Sequence, residues 1–309
     1  MNRELNYIVK QHERDLKLID LLSNKFQYHS NMEWLDRILD SRIVVNGLNV
    51  DPYCSLKIGD RISFQIINFS EPEVDKNVII LYEDSDILII NKPPNLPVHP
   101  SGRYYKNTVL EILKEIFPHT PLYITHRLDR ETSGVMIISK SLEIAKSIQK
   151  QFYERKVYKS YLVYVHGNFP ISLSAIGFLG FDSNSKIRKK RIFREERDEI
   201  VSDESKTEFI NLIERKNITK LRAIPHTGKL HQIRATLSSL GYPVVGDKIY
   251  GKSEDNFLNF ISGIPYPKDI IDRQALHSYS ISFLHPTKNT FVEYIAEEPE
   301  DLKTILMQA

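Results

Sequence analysis

Apolar residues recur along this chain in two patterns, one with helical spacing and one in short runs. Helical spacing predicts four helices, at residues 16–22, 34–39, 108–117 and 142–155. Short apolar or β-branched runs predict strands, for example at residues 122–125, 135–138 and 161–165. The interleaving of the two patterns is compatible with an α+β fold, although it does not by itself give a topology.

A polar stretch at residues 67–77 separates two blocks that carry these apolar patterns. It contains a proline and a run of charged and amide side chains, which is the composition of a linker. In the first block, Asn46-Gly47 is a tight-turn signal between two strands. We therefore predict a small domain over residues 14–66, a linker over 67–77 and a larger domain over 78–309.

The segment 126–134, which reads HRLDRETSG, places one carboxylate among basic residues. Its flanks predict strands, and residues 132–134 predict the turn between them. Arg127 and Arg130 flank Asp129, and such neighbours keep a carboxyl group ionised well below neutral pH. A permanently charged carboxylate suits a nucleophile better than a general acid. Spacing alone leaves a structural ion pair or a turn cap as an equal alternative.

The same segment resembles the catalytic motif of the RluA-type pseudouridine synthases, His-Arg-Leu-Asp followed by Thr-Ser-Gly, at all seven positions. Residues 159–161 and 227–234 resemble the second and third motifs of that family, in the same order along the chain. The resemblance runs from about residue 78 to the C-terminus. It implies an α+β fold with a mixed, mainly antiparallel sheet and a cleft across one face, and a cofactor-free RNA uridine isomerase.

The resemblance also implies roles for individual residues. Asp129 is the expected nucleophile, Tyr161 lies against the target uracil, and Arg234 forms an ion pair with Asp129. A uridine must leave its stack to be reached, which costs about a few kcal/mol, so the vacated space needs a filler. Arg127, next to the nucleophile, is the candidate for that filler.

The third motif departs from the family pattern, which usually reads Gly-Arg-Thr-His-Gln-Ile-Arg-Val-His. Lys229 and Leu230 occupy its early positions, and Thr236 leaves no imidazole at its end. Lys229 keeps the positive charge but loses the bidentate fork of arginine. We expect Lys229 to make a looser RNA contact, and neither departure touches Asp129, Tyr161 or Arg234.

The N-terminal block resembles the αL RNA-binding module first described in a small-subunit ribosomal protein. In that module, the second helix and the following turn face structured RNA, and the candidates here are Ser30, Asn31, Arg37 and Arg42. Interleaved acids, Asp36, Asp40 and Asp51, reduce the positive field that phosphate contact needs. The alternative is a degenerate module that only packs on the catalytic domain.

The strongest basic cluster comprises Lys186, Arg188, Lys189, Lys190, Arg191 and Arg194, and acidic residues follow it at once. A run of mixed sign is usually a solvated surface. Because the basic residues come first and the acidic ones second, we favour a basic edge beside the cleft that holds RNA backbone.

Ten histidines raise the question of a metal site, but their spacing does not support one. There is no cysteine pair and no His-Glu-x-x-His, and His226 with His231 lacks a third ligand. No glycine-rich phosphate loop is present either. We expect no metal and no cofactor, and interpret His126 and His231 as hydrogen-bonding neighbours of the active loop.

The composition places limits on the setting. The net charge is only +2, so RNA binding must come from local patches. The single Cys54 excludes an internal disulfide and indicates a reducing compartment. Residues 160–181 carry no charged side chain, but polar and proline residues interrupt them, and residues 1–15 are too charged for a signal peptide. We expect a cytoplasmic monomer with no membrane contact and no obligate protein partner.

Two other classes of function stay open at this point. A non-catalytic RNA-binding or ribosome-assembly protein could keep the fold without turnover. A nucleoside N-glycosidase could use one carboxylate against the same glycosidic bond, and it would release free uracil. Whether the RNA is ribosomal or transfer RNA is also left open by the motifs.

Overall fold

The computed structural model describes residues 3–26, 29–66, 71–100, 102–267 and 269–308. The chain forms two compact units, Met1–Glu71 and Pro72–Ala309. The division falls within the predicted linker 67–77, of which residues 67–70 lie outside the described residues.

The N-terminal unit packs two helices against a small antiparallel sheet. Its elements are β1 (Arg3–Ile8), α1 (Leu18–Lys25), α2 (Asn31–Leu39), β2 (Ile43–Val45) and β3 (Arg61–Ile66). The strand order is β1-β3-β2, and Tyr7 pairs with Ile62. Leu22, Trp34 and Ile62 are buried in the core between the layers. The predicted domain start at residue 14 therefore missed β1, whose charged residues hide its alternation.

The predicted turn at Asn46-Gly47 is present, with φ of 53° and 79° at the two residues. Such positive φ values suit asparagine and glycine. The second strand of the expected hairpin reduces to a single bridge between Val45 and Leu48, because β2 takes β3 as its partner instead.

The C-terminal unit contains the remaining elements of the chain. Its helices are α3 (Val109–Ile116), α4 (Leu142–Tyr153), α5 (Gln232–Ser239), α6 (Glu254–Ile261), α7 (Glu300–Lys303) and α8 (Ile305–Gln308). Its strands are β4 (Ile79–Glu83), β5 (Ile87–Lys92), β6 (Tyr123–Ile124), β7 (Ser133–Ser139), β8 (Tyr158–His166), β9 (Ser172–Phe181), β10 (Arg191–Arg194), β11 (Val201–Arg215), β12 (Ile218–Pro225), β13 (Leu276–Leu284) and β14 (Phe291–Ile295). The two helices predicted here correspond to α3 and α4.

These strands form one long sheet with the order β10-β9-β11-β12-β8-β13-β7-β5-β4, while β14 pairs with β13 and β6 pairs with β7. Among the described strands, β7 and β13 run parallel and every other pair is antiparallel. The predicted α+β fold with a mixed, mainly antiparallel sheet is confirmed. Residues 160–181 form parts of β8 and β9, and within the described residues no helix is long and apolar enough to span a membrane.

The parallel pair forms at the point where the chain leaves the segment that contains Asp129. Gly134 has φ +114°, and a Cβ there would lie 2.1 Å from the carbonyl oxygen of Ser278 on β13. Only glycine permits so close an approach of two backbones. The predicted turn at residues 132–134 was therefore wrong in position, because Ser133 and Gly134 already belong to β7. The turn comes earlier and is closed by the hydrogen bond from Thr132 N to Asp129 O, 3.1 Å.

Candidate active site

A cleft of about 550 Å³ opens beside this turn. Its walls come from the connection between β6 and β7, from the end of α4, from β8, and from the connection between β12 and α5. Side chains of interest that line it are Asp129, Tyr161, His231 and Arg234. Four cationic residues line it as well, namely Arg127, Arg155, Lys159 and Lys229. The topology thus gathers residues that lie about a hundred positions apart in sequence.

A buried lysine holds the loop that carries Asp129 through hydrogen bonds to backbone carbonyl groups. Lys92 has no exposed surface, and its ammonium donates to the carbonyl oxygens of Pro93, Leu96 and Arg130 at 2.8, 2.9 and 3.0 Å. Three carbonyls match the three N–H groups of an ammonium. Burial lowers the pKa of Lys92. Lys92 therefore holds the backbone next to Asp129 without entering the cleft.

Arg234 joins two carboxylates at the centre of the site. Its Nη1 donates to Asp129 Oδ2 at 2.7 Å, while Nε and Nη2 donate to Asp247 Oδ2 and Oδ1 at 2.6 and 2.9 Å. The side chain of Arg234 is 5% exposed, that of Asp247 is 0% exposed, and that of Asp129 is 23% exposed. The expected contact between Arg234 and Asp129 is present, and Asp247 anchors the arginine that makes it.

The charge that keeps Asp129 ionised comes from Arg234, the expected ion-pair partner, and not from the sequence neighbours Arg127 and Arg130. Burial opposes its ionisation, but the Arg234 guanidinium outweighs burial and holds the pKa of Asp129 below its usual value. Arg130 instead donates to Glu131 at 2.8 Å and to the Tyr104 hydroxyl at 3.0 Å, and Arg127 is exposed. The side chains of Arg127 and Arg130 are directed to solvent and to other partners, because successive side chains in a tight turn point in different directions.

His231 lies at the start of α5 in a left-handed conformation, with φ 56°. Its Nδ1 is 2.9 Å from the Tyr250 hydroxyl, and its Nε2 is 3.9 Å from Asp129 Oδ1. Burial, reinforced by Arg234, lowers the pKa of His231 to about 4. The imidazole is therefore neutral at physiological pH.

Tyr161 and Lys159 reach the cleft from β8. Burial raises the pKa of Tyr161 to about 12, against the effect of a hydrogen bond with Ser278, so its phenol stays protonated. Burial lowers the pKa of Lys159 to about 8. Its ammonium donates to the carbonyl of Thr227 at 3.2 Å. Lys159 thus brings a partly desolvated cation into the cleft.

The remaining residues predicted for the cleft, His126, Arg127 and Lys229, differ in how far other groups of the protein hold their side chains. His126 Nε2 accepts from Ile137 N at 3.0 Å, the ring lies 4.8 Å from Phe152, and burial lowers its pKa to about 3. His126 therefore ties the loop to β7. Arg127 is exposed at the cleft, and Lys229 is 39% exposed with a 3.2 Å contact to Asp203.

The basic cluster at residues 186–194 is partly neutralised by a helix that the sequence did not predict. Lys190 forms a 2.8 Å ion pair with Glu254, and Lys186 a 3.5 Å pair with Asp255, both in α6. Arg194 pairs with Asp198. Four members are exposed, and of these Arg188 and Lys189 have no ion pair within the described residues. The expected separation of basic and acidic segments is therefore wrong for Lys186, Lys190 and Arg194.

In the N-terminal unit, most RNA candidates already have partners. Ser30 caps α2 and exchanges hydrogen bonds with Glu33 at its first turn, and Asn31 donates to Ser23 at 3.1 Å. Arg42 lies 3.3 Å from Asp40. The remaining candidate is Arg37, which is half-buried on α2. Of the acids predicted to reduce the positive field, Asp40 is the one that pairs with a candidate base, Arg42.

Two polar residues of the site, Asp247 and Gln274, were not predicted from the sequence. Asp247 has no role assigned from the sequence, although it anchors Arg234. Gln274 donates to Thr132 Oγ1 at 2.6 Å, and its side chain lies 3.5 Å from Asp129 Oδ2. Nothing in the local sequence marks either as buried. A charged residue next to glycine in Gly246-Asp247 is the one available signal.

Within the described residues, one group has metal-like spacing, Asp84, Asp86 and His285. Asp84 Oδ2 already accepts from Lys288 at 2.6 Å and from Tyr82 at 2.9 Å, and His285 Nε2 lies 2.9 Å from it. An ammonium thus occupies the position next to the carboxylate where a cation would bind. We interpret the group as a structural ion-pair network.

The cleft combines a carboxylate held by a buried arginine with a rim of cationic side chains, an arrangement that suits contact with an anionic polymer. The family described as RNA pseudouridylate synthase matches residues 86–239, which include Asp129, Tyr161 and Arg234. The chain therefore belongs to the RluA-type RNA pseudouridine synthases, isomerases that convert uridine to pseudouridine in RNA.

Relatives of known name extend the match to nearly the whole chain. The chain is 33% identical over 288 residues to an uncharacterized RNA pseudouridine synthase of Aquifex aeolicus, covering 87% of this chain and 85% of that protein. It is 32% identical over 275 residues to ribosomal large subunit pseudouridine synthase C of Buchnera aphidicola subsp. Schizaphis graminum, covering 84% and 82%. The structure of human RNA pseudouridylate synthase domain containing 1 matches with a TM-score of 0.60 at 26% identity, covering 76% of this chain and 90% of that one.

Proposed function

We propose that this chain isomerises uridines in structured RNA of the large ribosomal subunit, with Asp129 as the nucleophile. The observation that carries the proposal is the asymmetry of the Asp129 carboxylate. Its Oδ2 accepts the 2.7 Å hydrogen bond from Arg234, whereas its Oδ1 has no hydrogen-bond partner in the described parts of the chain. A carboxylate fixed through one oxygen presents the other to a ligand in the cleft.

The proposed reaction begins when the target uridine leaves its stack and enters the cleft. Asp129 attacks or deprotonates the nucleoside, the bond between ribose carbon 1 and N1 breaks, and the base rotates and rejoins the ribose through carbon 5. Carbon 5 then gives up its proton to solvent and N1 takes up a proton from solvent, so the product is an isomer of the substrate. Tyr161 supplies an aromatic face for the base and a protonated phenol for the proton steps. Arg234 acts as a positioning residue because it orients Asp129 and keeps it ionised.

The RNA backbone would follow the basic residues around the cleft. Arg127 is exposed and free to fill the space that the flipped uridine leaves. Lys159 and Lys229 line the cleft, and the exposed Arg188 and Lys189 extend the same charge along the surface. Each cation that neutralises a phosphate releases a counterion, so binding should weaken steeply with salt.

The N-terminal unit, in this proposal, is an αL-type module that reads RNA shape. Its removal as residues 1–71 should weaken binding to long structured RNA while activity on a short stem-loop stays near normal. Equal losses on both substrates would make the unit a folding support for the catalytic unit. Ribosomal RNA as substrate would place the enzyme in the cytoplasm.

The choice of large-subunit ribosomal RNA is supported by the relative named for that activity. The test is to incubate the purified protein with unmodified large-subunit RNA and, separately, with unmodified transfer RNAs, and to map pseudouridine in each. Pseudouridine at discrete positions of the ribosomal RNA is the expected result, and modification of transfer RNA alone would overturn the target. Release of free uracil would indicate the glycosidase chemistry instead.

A further inference from the structure

His231 lies beside the proposed nucleophile without a role in the scheme above. Its side chain is 8% exposed and lines the cleft. Its Nε2 faces Asp129 Oδ1 at 3.9 Å, too far for a hydrogen bond. Within the described residues Nε2 has no hydrogen-bond partner. A polar atom that has no partner and lies on the cleft side of a largely buried side chain is a candidate for contact with a ligand.

A chain of contacts determines which nitrogen of His231 carries the proton. The backbone N–H of Arg191 donates to the Tyr250 hydroxyl oxygen at 3.0 Å. The phenolic proton then needs an acceptor, and His231 Nδ1 lies 2.9 Å away. A neutral imidazole that accepts at Nδ1 carries its proton on Nε2. His231 therefore presents an N–H donor to the cleft, and Tyr250 acts as the residue that fixes the tautomer.

We propose that His231 is a further catalytic residue, an inference that rests on the proposed function. Its Nε2–H group donates a hydrogen bond to the uracil carbonyl oxygen next to the bond that is broken and later made. In uridine this carbonyl is O2, because the ribose is attached at N1. Detachment of the base leaves negative charge that spreads onto the carbonyl oxygens. A fixed donor at such an oxygen stabilises the charge as it develops.

The symmetry of uracil makes one donor sufficient for the whole reaction. A half-turn about the line through N3 and C6 exchanges N1 with C5, and O2 with O4. After rotation, O4 occupies the position that O2 held, and the donor at His231 Nε2 meets a carbonyl oxygen again. Cytosine carries an amino group in place of O4, so rotation would set a donor against a donor. His231 thereby rejects cytidine at the rejoining step.

The distances allow one nucleoside to contact both side chains from the cleft. A reacting carbon in a near-attack position lies about 3–3.5 Å from the nucleophilic oxygen. Because Nε2 is only 3.9 Å from Asp129 Oδ1, a base attached to a carbon on the cleft side of both atoms can bring a carbonyl oxygen within hydrogen-bond reach of His231. The lowered pKa of His231, about 4, keeps it a neutral donor, which does not disturb the ionisation of Asp129.

The test combines a side-chain change with an atomic change in the substrate. Single-turnover rates, measured as release of tritium from carbon 5, are compared for wild type and His231→Ala on RNA with uridine or 2-thiouridine at the target. Sulfur is a poor acceptor, so the 2-thio change should slow wild type. His231→Ala should be about 10²-fold slower on uridine. In that variant the 2-thio change should add almost nothing, since the donor is already gone.

A matched pair of variants separates the contact from the fold. His231→Gln places an amide donor near the position of Nε2, whereas the shorter His231→Asn places it near Nδ1. Asparagine is the better residue for the left-handed backbone at φ 56°. Stability, measured by thermal unfolding, should therefore favour His231→Asn, while activity should favour His231→Gln. The opposite order of activities would overturn the proposal.

Each remaining outcome also decides something. Equal 2-thio effects in wild type and His231→Ala, or an unchanged rate in His231→Ala, would remove His231 from contact with the base. An inactive wild type on every RNA would instead reject the proposed function itself. RNA affinity should stay within a few-fold in all variants, because the proposed contact forms after the uridine has entered the cleft.

Discussion

Arg234 and Asp247 form a bidentate ion pair, at 2.6 and 2.9 Å, in which both side chains are almost completely buried. Backbone N–H groups of Ile249 and Tyr250 donate to the same carboxylate at 2.9 and 3.0 Å. The pair therefore fixes the arginine through Nε and Nη2. The third nitrogen, Nη1, remains available to donate to Asp129.

Asp247→Asn should damage both stability and catalysis. Removal of one partner from a buried ion pair costs about 3–5 kcal/mol in unfolding free energy. A shift of Arg234 by about 1 Å would also slow the chemical step about 10²-fold. Denaturant unfolding and single-turnover rates measure the two effects. As control, Glu300→Gln breaks an exposed pair with Lys303 and should change the unfolding free energy very little. If both variants behaved alike, Asp247 would be only another surface acid.

Asp129→Asn should abolish isomerisation while RNA binding stays within a few-fold. The change removes the negative charge and the nucleophile but little volume. The carbonyl oxygen of the introduced amide could still accept a hydrogen bond from Arg234, so the fold should persist. Filter binding and a single-turnover assay at enzyme excess test this prediction. Substantial residual turnover in the absence of wild-type contamination would remove Asp129 from the mechanism.

The sequence predicted the side chains proposed to react better than the residues that hold those side chains in place. Asp129 and Arg234 were predicted from the resemblance of their motifs to the family, because spacing alone left a structural role for Asp129 equally open, and the resemblance also implied the contact between them. Their partners Asp247 and Gln274 could not be identified, because burial depends on strands that meet only in three dimensions. The same limit applies to the contact between His231 and Tyr250, which joins two different elements.

Long-range charge pairing explains the wrong expectations. Glu254 and Asp255, which meet Lys190 and Lys186, follow the basic cluster by more than sixty residues. Local sequence could suggest only the acids that follow the cluster directly, and of these Asp198 pairs with Arg194. The fold class was predicted from the family resemblance that the ordered motifs carry, and the periodicity was only compatible with it, whereas β1 was missed because Arg3, Glu4 and Asn6 obscure its pattern.

The N-terminal unit should lose stability in acid through Glu13. Burial opposes ionisation of Glu13, but hydrogen bonds from Lys25, from Tyr7 and from the backbone of Lys10 lower its pKa to about 2. A depressed pKa contributes stability above the ordinary value near 4.5, which is lost as the pH falls towards 2.

Trp34, the single tryptophan of the chain, lies in this unit and is 1% exposed, so its fluorescence reports on the unit specifically. Glu13→Gln should lower stability at pH 7 and remove most of the acid dependence between about 4.5 and 2. Asp36→Asn, an exposed change on α2, is the control. An unaltered acid transition in Glu13→Gln would show that other carboxylates govern it.

Salt dependence should distinguish free from paired members of the basic cluster. Arg188 and Lys189 are exposed, whereas Lys186 and Lys190 already pair with acids of α6. Arg188→Gln combined with Lys189→Gln should weaken binding to every RNA alike and lower the slope of log affinity against log salt by about 0.7–0.9 per lost contact. Lys186→Gln combined with Lys190→Gln removes the same formal charge but should change the slope less, because those ammonium groups release few counterions. Equal slopes for the two double variants would mean that RNA phosphates replace Glu254 and Asp255 as partners of Lys190 and Lys186. The two acids would then neutralise these lysines only in the free protein.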